Sequence, residues 1–256
     1  MSRFPIACQT ITWGDEQSTF FPKVFDEVKA AGYAGVEIGF RHIRQHPPAG
    51  VKKMLDDRGL VLAALHIGGN LFDATQADQE RTALELAFEY LDAMQTEFLM
   101  YSGLRFHDEE QFARDFMALN TAAEKCHETG RRLLYHNHNW EFERGGEVIA
   151  ALTSKGNRHL GFCPDIGWVM KGRRRIIGFM NEVKGRIGAI HFKDFATDGP
   201  GCDTVVLGTG VAPLVEAAEW VKQNTDGMWV IAEQDNADLP AAEAASRNAA
   251  FLKSLF

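Results

Sequence analysis

Four segments in the second half of the sequence carry side chains that bind metal ions or transfer protons. They cover residues 136–142, 162–168, 191–194 and 233–235, and each follows a short apolar run. Their histidine and carboxylate side chains form a mixed nitrogen and oxygen ligand set, which suits manganese, cobalt, magnesium or zinc. The same side chains are the usual general acids and bases of enzymes. The elements that bring these segments together therefore decide what they do.

Short apolar segments alternate with amphipathic ones along the whole chain, a pattern typical of parallel strands covered by helices. The apolar segments predict strands at residues 5–10, 35–39, 61–67, 98–102, 132–138, 160–163, 189–192 and 228–233. The amphipathic segments predict helices at residues 19–31, 50–58, 76–94, 109–129, 147–155, 174–184, 211–224 and 240–254. Eight strand–helix units in 256 residues indicate an α/β protein, a (β/α)₈ TIM barrel forming one domain over residues 1–256.

The carboxyl ends of barrel strands meet at one rim, where the active sites of such barrels lie. Asp165, His191 and Glu233 stand at the ends of the sixth, seventh and eighth predicted strands, about one strand–helix repeat apart. Taken singly, Asp165 is also a candidate helix N-cap and His191 a candidate core histidine, while a glutamate is seldom buried without a partner. Their coincidence at successive strand ends favours a shared metal site.

The overall composition excludes several classes of function. The 35 acidic and 27 basic side chains give a net charge of −8, which opposes binding to a polyanion such as nucleic acid. Four dispersed cysteines without a Cys-x-x-Cys pair fit a reducing compartment. The first residues lack a signal-like apolar stretch, and no apolar run approaches the ~20 residues of a membrane span. We therefore expect a cytoplasmic protein without a nucleic-acid or membrane partner.

The order and spacing of several short motifs resemble those of the xylose isomerase-like TIM-barrel family, which includes sugar phosphate isomerases and epimerases. These motifs lie at residues 32–39, 136–142, 165–168, 191–194, 207–210 and 233–235. The resemblance implies one divalent metal ion, manganese in the first place, held by Glu141, Asp165, His191 and Glu233. The resemblance places the ligating glutamate at the end of the fifth strand, and in this sequence that position is closer to His136 than to Glu141. His136 faces the same side of the strand as His138, so either histidine is an alternative ligand to Glu141.

The reaction that the resemblance implies is the isomerisation or epimerisation of a keto sugar or sugar phosphate. Such a reaction removes the proton next to the carbonyl and passes through a metal-stabilised ene-diolate. Glu233 would act as ligand and base, Glu141 as second carboxylate, and His136 or His138 as acid or base if not itself a ligand. The candidate substrate-binding residues are Lys193, which would neutralise developing charge, and Trp13, His66 and Trp168, which would form the walls of the site.

Other functions are compatible with the same residues. A metal-dependent dehydratase or lyase acting on a keto-inositol or a 3-keto sugar needs the same proton abstraction but expels an oxygen, a step that a histidine acid suits. A non-catalytic sugar-binding barrel would keep the aromatic walls but has no need of aligned ligands. Cleavage of abasic DNA by a zinc cluster is disfavoured by the net charge and by missing ligands on the early strands. The resemblance further suggests a homo-oligomer.

Overall fold

Eight parallel strands form the barrel in this computed structural model, which describes residues 3–68, 77–236 and 239–256. The barrel strands are β1 (Ile6–Gln9), β2 (Gly35–Gly39), β3 (Val61–Gly68), β4 (Phe98–Ser102), β5 (Arg132–His136), β6 (Gly161–Cys163), β7 (Ala189–Phe192) and β10 (Trp229–Ala232). Hydrogen bonds join them in the order β6-β5-β4-β3-β2-β1-β10-β7. Parallel bridges from Phe162 to Ile187 and from Asp165 to His191 connect the two ends of this sheet. The predicted TIM barrel is confirmed.

Helices follow the strands around the outside of the barrel. They are α1 (Phe21–Ala31), α2 (Phe40–Ile43), α3 (Pro48–Asp56), α4 (Ala77–Met94), α5 (Glu109–Glu128), α6 (Glu147–Lys155), α7 (Ile166–Lys171), α8 (Ile176–Glu182), α9 (Leu214–Asn224) and α10 (Ala241–Leu255). The predicted start of the fourth helix at residue 76 lies outside the described residues. In the part of the chain that the structure describes, no helix is long and apolar enough to cross a membrane.

Several predicted boundaries were wrong near the rim of the barrel. The fifth strand ends at His136 and not at residue 138, because the chain turns there into a 3₁₀ helix at Trp140–Phe142. The sixth predicted helix begins at Ile176 and not at residue 174, because Arg173 has a left-handed φ of 59°. The short helices α2 and α7 and a small hairpin of β8 (Asp194–Phe195) and β9 (Thr204–Val205) were not predicted. These elements have too few residues for a visible periodicity.

Alternation along the strands decides which residues enter the barrel. In β5, Leu133 and Tyr135 belong to the outer core that packs against the helices, whereas Leu134 belongs to the core inside the barrel. The same inner core contains Ala7, Ala63, Ala64, Phe98, Met100, Cys163, Ala189 and Ile231. Because side chains alternate between the two faces of a strand, the next inward positions lie two residues further on. This parity places His136, Asp165, His191 and Glu233 at the carboxyl rim.

One buried carboxylate fixes the loop that follows the seventh strand. The side chain of Asp194 is 1% exposed and accepts four backbone N–H groups. Oδ1 accepts from Phe195 and Ala212, each at 2.9 Å, and Oδ2 accepts from Gly208 at 3.0 Å and Gly210 at 2.9 Å. A side chain at position 210 would collide with the Phe195 carbonyl and with Asp194 itself. Asp194 therefore anchors the turn at residues 207–210.

Replacing Asp194 tests this anchor. We expect Asp194→Ala to lower the free energy of unfolding by about 2–4 kcal/mol, because several partly buried N–H groups lose a charged acceptor. Urea titration followed by circular dichroism measures the change. The control is Asp203→Ala, an exposed aspartate in the same loop, for which a change within about 0.5 kcal/mol is expected. Equal stability of the two variants would contradict the role of Asp194.

Candidate metal centre

Two histidines and two carboxylates converge inside the carboxyl rim of the barrel. His136, Asp165, His191 and Glu233 are all buried, and one donor atom from each lies within 4.8 Å of the others. His136 Nε2 lies 3.2 Å from Asp165 Oδ2 and 3.3 Å from Glu233 Oε2, and His191 Nδ1 lies 2.6 Å from the same Glu233 oxygen. Ligands that share one ion at about 2.0–2.2 Å lie at most about 4.4 Å apart, so this donor set fits a divalent cation after a small closure. We call these four residues the metal cluster.

Glu141, the ligand that the family resemblance implies at the fifth strand, lies outside the metal cluster. Its Oε1 accepts a hydrogen bond from the Tyr135 hydroxyl at 2.7 Å, and its Oε2 accepts the backbone N–H of His138 at 2.8 Å. Burial raises the pKa of Glu141 to about 7, although these hydrogen bonds oppose the shift. The end of β5 at His136 brings that histidine to the cluster, which was the alternative left open by the sequence.

Asp165 is both the N-cap of helix α7 and a member of the metal cluster. Its Oδ1 caps helix α7 by accepting the backbone N–H of Trp168 at 2.9 Å, while Oδ2 faces His136. The backbone N–H of Asp165 donates to Asn137 Oδ1 at 3.1 Å, which ties the end of β5 to the loop after β6. The cap and the cluster therefore depend on the same carboxylate.

Lys193 provides the positive charge next to the cluster and is 1% exposed. Its Nζ lies 2.9 Å from Asp235 Oδ2, 3.3 Å from Glu233 Oε1 and 3.8 Å from Asp165 Oδ2. Burial alone would lower the pKa of Lys193, but the three carboxylates outweigh burial and raise it. For Glu233, burial alone would raise the pKa, but the positive charges of Lys193 and His191 hold it well below its usual range.

Glu37 on strand β2 is a fully buried carboxylate that the sequence analysis did not single out as a site residue. Its Oε2 lies 2.8 Å from His191 Nε2, and its Oε1 lies 2.9 Å from His66 Nδ1. Burial would raise the pKa of Glu37, but His191 and His66 outweigh it and lower the value to about 2. Burial lowers the pKa of His191 in turn, and the charges of Glu37 and Glu233 reverse this effect and raise it well above normal. Val36 and Ile38 belong to the outer core, so Glu37 between them faces the inside of the barrel, and this alternation was the signal that would have found Glu37.

His138 lies beside the cluster within an aromatic stack. Its ring is parallel to that of Trp140, with centroids 4.0 Å apart, and lies 5.0 Å from the His136 ring and 5.6 Å from Trp168. Burial and the nearby charges of His136 and Lys193 lower the pKa of His138 well below its usual value. This histidine is therefore neutral.

Three buried nitrogens around the cluster have no hydrogen-bond partner among the described residues. They are Nδ1 of His136, Nδ1 of His138 and Nε1 of Trp168. Buried polar atoms are rarely left unpaired in a folded protein without a functional reason, such as a bound molecule. Trp168 also lies under the ammonium group of Lys193, 5.0 Å from Nζ to the ring centroid. These atoms are suited to meet the polar groups of a small ligand.

A cleft of about 460 Å³ reaches the metal cluster. It is lined by Gln9, Ile11, Gly39, Phe40, Arg41, His42, Arg44, His66, Ile67, Gly68, Ala83, Ser102, His138, Glu233 and Asp235. This volume suits a small organic molecule. Of the four predicted substrate-binding residues, the described lining contains His66 but not Trp13, Trp168 or Lys193. The indole N–H of Trp13 donates to Glu27 Oε2 at 2.6 Å.

Residues 25–255 match the family model described as xylose isomerase-like TIM barrel, and the chain belongs to this family. Among curated proteins it is 27% identical over 218 residues to the rhizopine catabolism protein MocC of Rhizobium meliloti, covering 75% of this chain and 65% of MocC. It is 26% identical over 196 residues to the inosose dehydratase of Geobacillus kaustophilus, covering 69% of this chain and 62% of that enzyme. The chain thus spans less than two thirds of the length of these relatives.

Solved structures share the fold over almost the whole chain. A D-allulose 3-epimerase from Methylomonas sp. in complex with D-allulose has a TM-score of 0.81 at 17% identity, covering 99% of this chain and 98% of that one. A sugar phosphate isomerase/epimerase from Parabacteroides distasonis has a TM-score of 0.80 at 19% identity, covering 99% and 97%. The probable 3-DHS dehydratase AsbF from Bacillus anthracis has a TM-score of 0.77 at 12% identity, covering 98% and 99%. At these identities the likeness concerns the fold alone.

Removing the ammonium group of Lys193 tests the charge balance of the site. We expect Lys193→Met to lower the free energy of unfolding of the metal-free protein by about 3–5 kcal/mol, because buried carboxylates lose their cation. Urea titration in EDTA provides the measurement. Lys184→Met is the matched control, since Lys184 is exposed and donates only to Asn224 in the described structure, and should change stability by less than about 0.5 kcal/mol. An unchanged urea midpoint for Lys193→Met would contradict this balance.

Proposed function

We propose that the chain is a divalent-metal-dependent dehydratase or lyase acting on a keto-inositol or a 3-keto sugar. The observation that carries this proposal is the unpartnered, buried Nδ1 of a neutral His138 beside the metal cluster, combined with a Glu141 carboxylate that faces Tyr135 instead. The site thus offers a histidine for proton transfer where a second carboxylate was expected. The inosose dehydratases among the curated relatives support the same reaction class.

We assign His136, Asp165, His191 and Glu233 as the metal ligands, with manganese as the first candidate ion. This assignment replaces Glu141 by His136 because only the latter has a donor atom in the metal cluster. A bound divalent ion would polarise the substrate carbonyl and make the adjacent C–H more acidic. The remaining chemistry belongs to the side chains around the cluster.

His138 is the group that moves the proton in this proposal. Its neutral ring accepts the proton from the carbon next to the carbonyl at Nδ1, and the C–H electrons form the new carbon–carbon double bond. The ring then returns the proton to the departing β-oxygen as the C–O bond breaks, so that water or an alcohol leaves. The π-stacking of His138 on Trp140 holds the ring in place during both transfers.

Lys193, Trp168 and His66 bind the substrate in this proposal. The ammonium group of Lys193 balances the negative charge that develops on the substrate oxygens. The imidazole of His66, which lines the cleft, and the unpartnered indole N–H of Trp168 would offer polar contacts to hydroxyl groups, and the Trp168 ring would form an apolar wall deeper than the described lining. Trp13 remains a candidate for a more distant wall. A small keto sugar or keto-inositol is the only partner that the proposal requires.

A sugar epimerase or isomerase is the second candidate function. Lys193 and Asp235 form a pair at 2.9 Å, and Asp235 lines the cleft together with Glu233 and His138. This pair is a second proton-carrying group that can return a proton to the substrate carbon, as epimerisation requires. Both candidates share the first step, removal of the α-proton, and differ in whether oxygen is expelled.

Metal content tests the ligand assignment. After loading with manganese and desalting, we expect about one equivalent in the wild type and in Glu141→Gln. A loss of at least about tenfold is expected in each of four ligand variants, Asp165→Asn, His191→Ala, Glu233→Gln and His136→Ala. Mass spectrometry of the metal in purified protein gives the measurement. Loss of each ligand removes one bond to the ion and leaves the rest of the cluster in place.

The control for this series is His127→Ala, an exposed histidine at the end of α5 that should leave manganese content unchanged. Retention of metal in His136→Ala together with its loss in Glu141→Gln would return the fifth-strand ligand to Glu141. A wild type without retained metal would overturn the proposed function.

Solvent isotope exchange tests the reaction itself. The manganese-loaded enzyme is incubated in D₂O with 2-keto-myo-inositol, a 3-keto-glucoside or D-fructose and followed by proton NMR. We expect the α-proton signal of one keto substrate to disappear while an unsaturated product accumulates. His138→Asn should slow this reaction about 10²–10⁴-fold without loss of metal, since the proton acceptor is removed.

The products separate the two candidate functions. Deuterium that enters a recovered sugar without release of water or alcohol would favour the epimerase or isomerase over the dehydratase or lyase. Full activity of His138→Asn would contradict the role of this histidine. Absence of exchange with all three compounds, despite one equivalent of manganese, would contradict the proposed substrate class.

A further inference from the structure

A hydrogen-bonded chain of side chains crosses the inside of the barrel and ends on the metal cluster. It begins at Ser102 on β4, whose Oγ lies 2.9 Å from His66 Nε2. His66 Nδ1 lies 2.9 Å from Glu37 Oε1, and Glu37 Oε2 lies 2.8 Å from His191 Nε2. Four strands thus contribute one residue each to this hydrogen-bonded series, in which Glu37 lies between the two histidines.

We propose that Glu37 is a positioning residue of the metal centre, which fixes the tautomer and orientation of His191 and His66. This inference rests on the proposed metal-dependent function. An ionised carboxylate accepts hydrogen bonds but donates none, so both ring nitrogens that face Glu37 must carry a proton. His191 then keeps its Nε2 proton when a cation binds and offers the lone pair of Nδ1, the atom on the side of Glu233.

The hydrogen bond to Glu37 also fixes the orientation of His66 in the cleft. The ring of His66 is held between two partners, since its Nδ1 lies 2.9 Å from Glu37 Oε1 and its Nε2 lies 2.9 Å from the Ser102 Oγ. His66 and Ser102 both line the cleft that leads to the cluster. Glu37 therefore couples the orientation of His191 to that of His66, a ring that lines the cleft, although Glu37 is not itself part of the described cleft lining.

A role limited to filling the core does not account for this arrangement. Glu37 is 0% exposed, and an ionised group pays a large desolvation penalty at such a position unless every oxygen is paired. Each of its two oxygens faces a different imidazole nitrogen, so the pairing is divided between the metal cluster and the cleft. A second carboxylate behind a ligating histidine is the arrangement that orients such ligands and raises their basicity.

Manganese affinity measures the effect on the metal centre. Titration followed by EPR of free Mn²⁺ should give a Kd that is about 10–100-fold higher for Glu37→Gln than for the wild type. The glutamine is nearly isosteric, but its amide group faces one ring with a donor instead of an acceptor. The first control is Asp115→Asn, a buried carboxylate on α5 that accepts a hydrogen bond from Gln111, and the second is Ser102→Ala. We expect no change for the first and less than about a threefold change for the second.

Imidazole NMR provides a signature that a merely structural role would not produce. In zinc-loaded protein with ¹⁵N-labelled histidine, we expect protected N–H protons on His191 Nε2 and His66 Nδ1, assigned by His66→Gln. At least one of them should disappear or exchange rapidly in Glu37→Gln. This measurement on the wild type keeps the inference testable even if Glu37→Gln does not fold.

The outcomes separate this inference from the proposed function. Wild-type affinity and both N–H signals in Glu37→Gln would overturn the role of Glu37 and leave the metal-dependent function standing. Binding of zinc through His191 Nε2 in the wild type would also overturn it. A wild type that binds neither manganese nor zinc would overturn the proposed function and this inference together.

Discussion

Burial of three carboxylates in one closed interior is the constraint on which the site depends. Glu37, Asp165 and Glu233 are each 6% exposed or less, and ionised groups at such depth are tolerated only when opposite charges and hydrogen bonds surround them. The partners are the imidazoles of His66, His136 and His191 and the ammonium group of Lys193. Every one of these side chains must therefore hold its place for the three carboxylates to remain ionised.

The local structure of the rim follows from that constraint. Asn137 joins the end of β5 to Asp165, and the Asp165 carboxylate caps α7 while it faces His136. Glu141 closes the turn after β5 by accepting the backbone N–H of His138, which keeps that ring against Trp140. The turns after β5 and β6 are thus parts of the frame that orients the charged groups. Small inner-core residues such as Ala7 and Ala189 lie below this polar layer.

Much of this architecture could be predicted from the sequence, because strand and helix periodicities are local properties. The same reasoning grouped Asp165, His191 and Glu233, which the structure brings close together, since each lies at or just beyond the end of a strand with inward parity. The fifth-strand ligand stayed open because the backbone path after His136 depends on a hydrogen bond between Glu141 and Tyr135 that no local pattern encodes. Glu37 escaped notice because a single glutamate in an apolar strand gains its meaning from His66 and His191, which are distant in sequence.

In the proposed ligand set, an imidazole stands at the fifth strand where the family resemblance implies a carboxylate, and this difference bears on the chemistry. A ligand set with Glu141 would carry three negative charges, whereas the observed cluster carries two when its imidazoles are neutral. A divalent ion held by the less negative set would keep more of its positive charge for the substrate, and Lys193 lies nearby with a further positive charge. An environment of this kind stabilises the anion left by proton removal. In the proposed function, the ring of His138 would then deliver its acquired proton to a leaving oxygen, which a carboxylate bound to the metal would be less free to do. On that proposal, a histidine ligand at the fifth strand favours elimination over reprotonation at carbon.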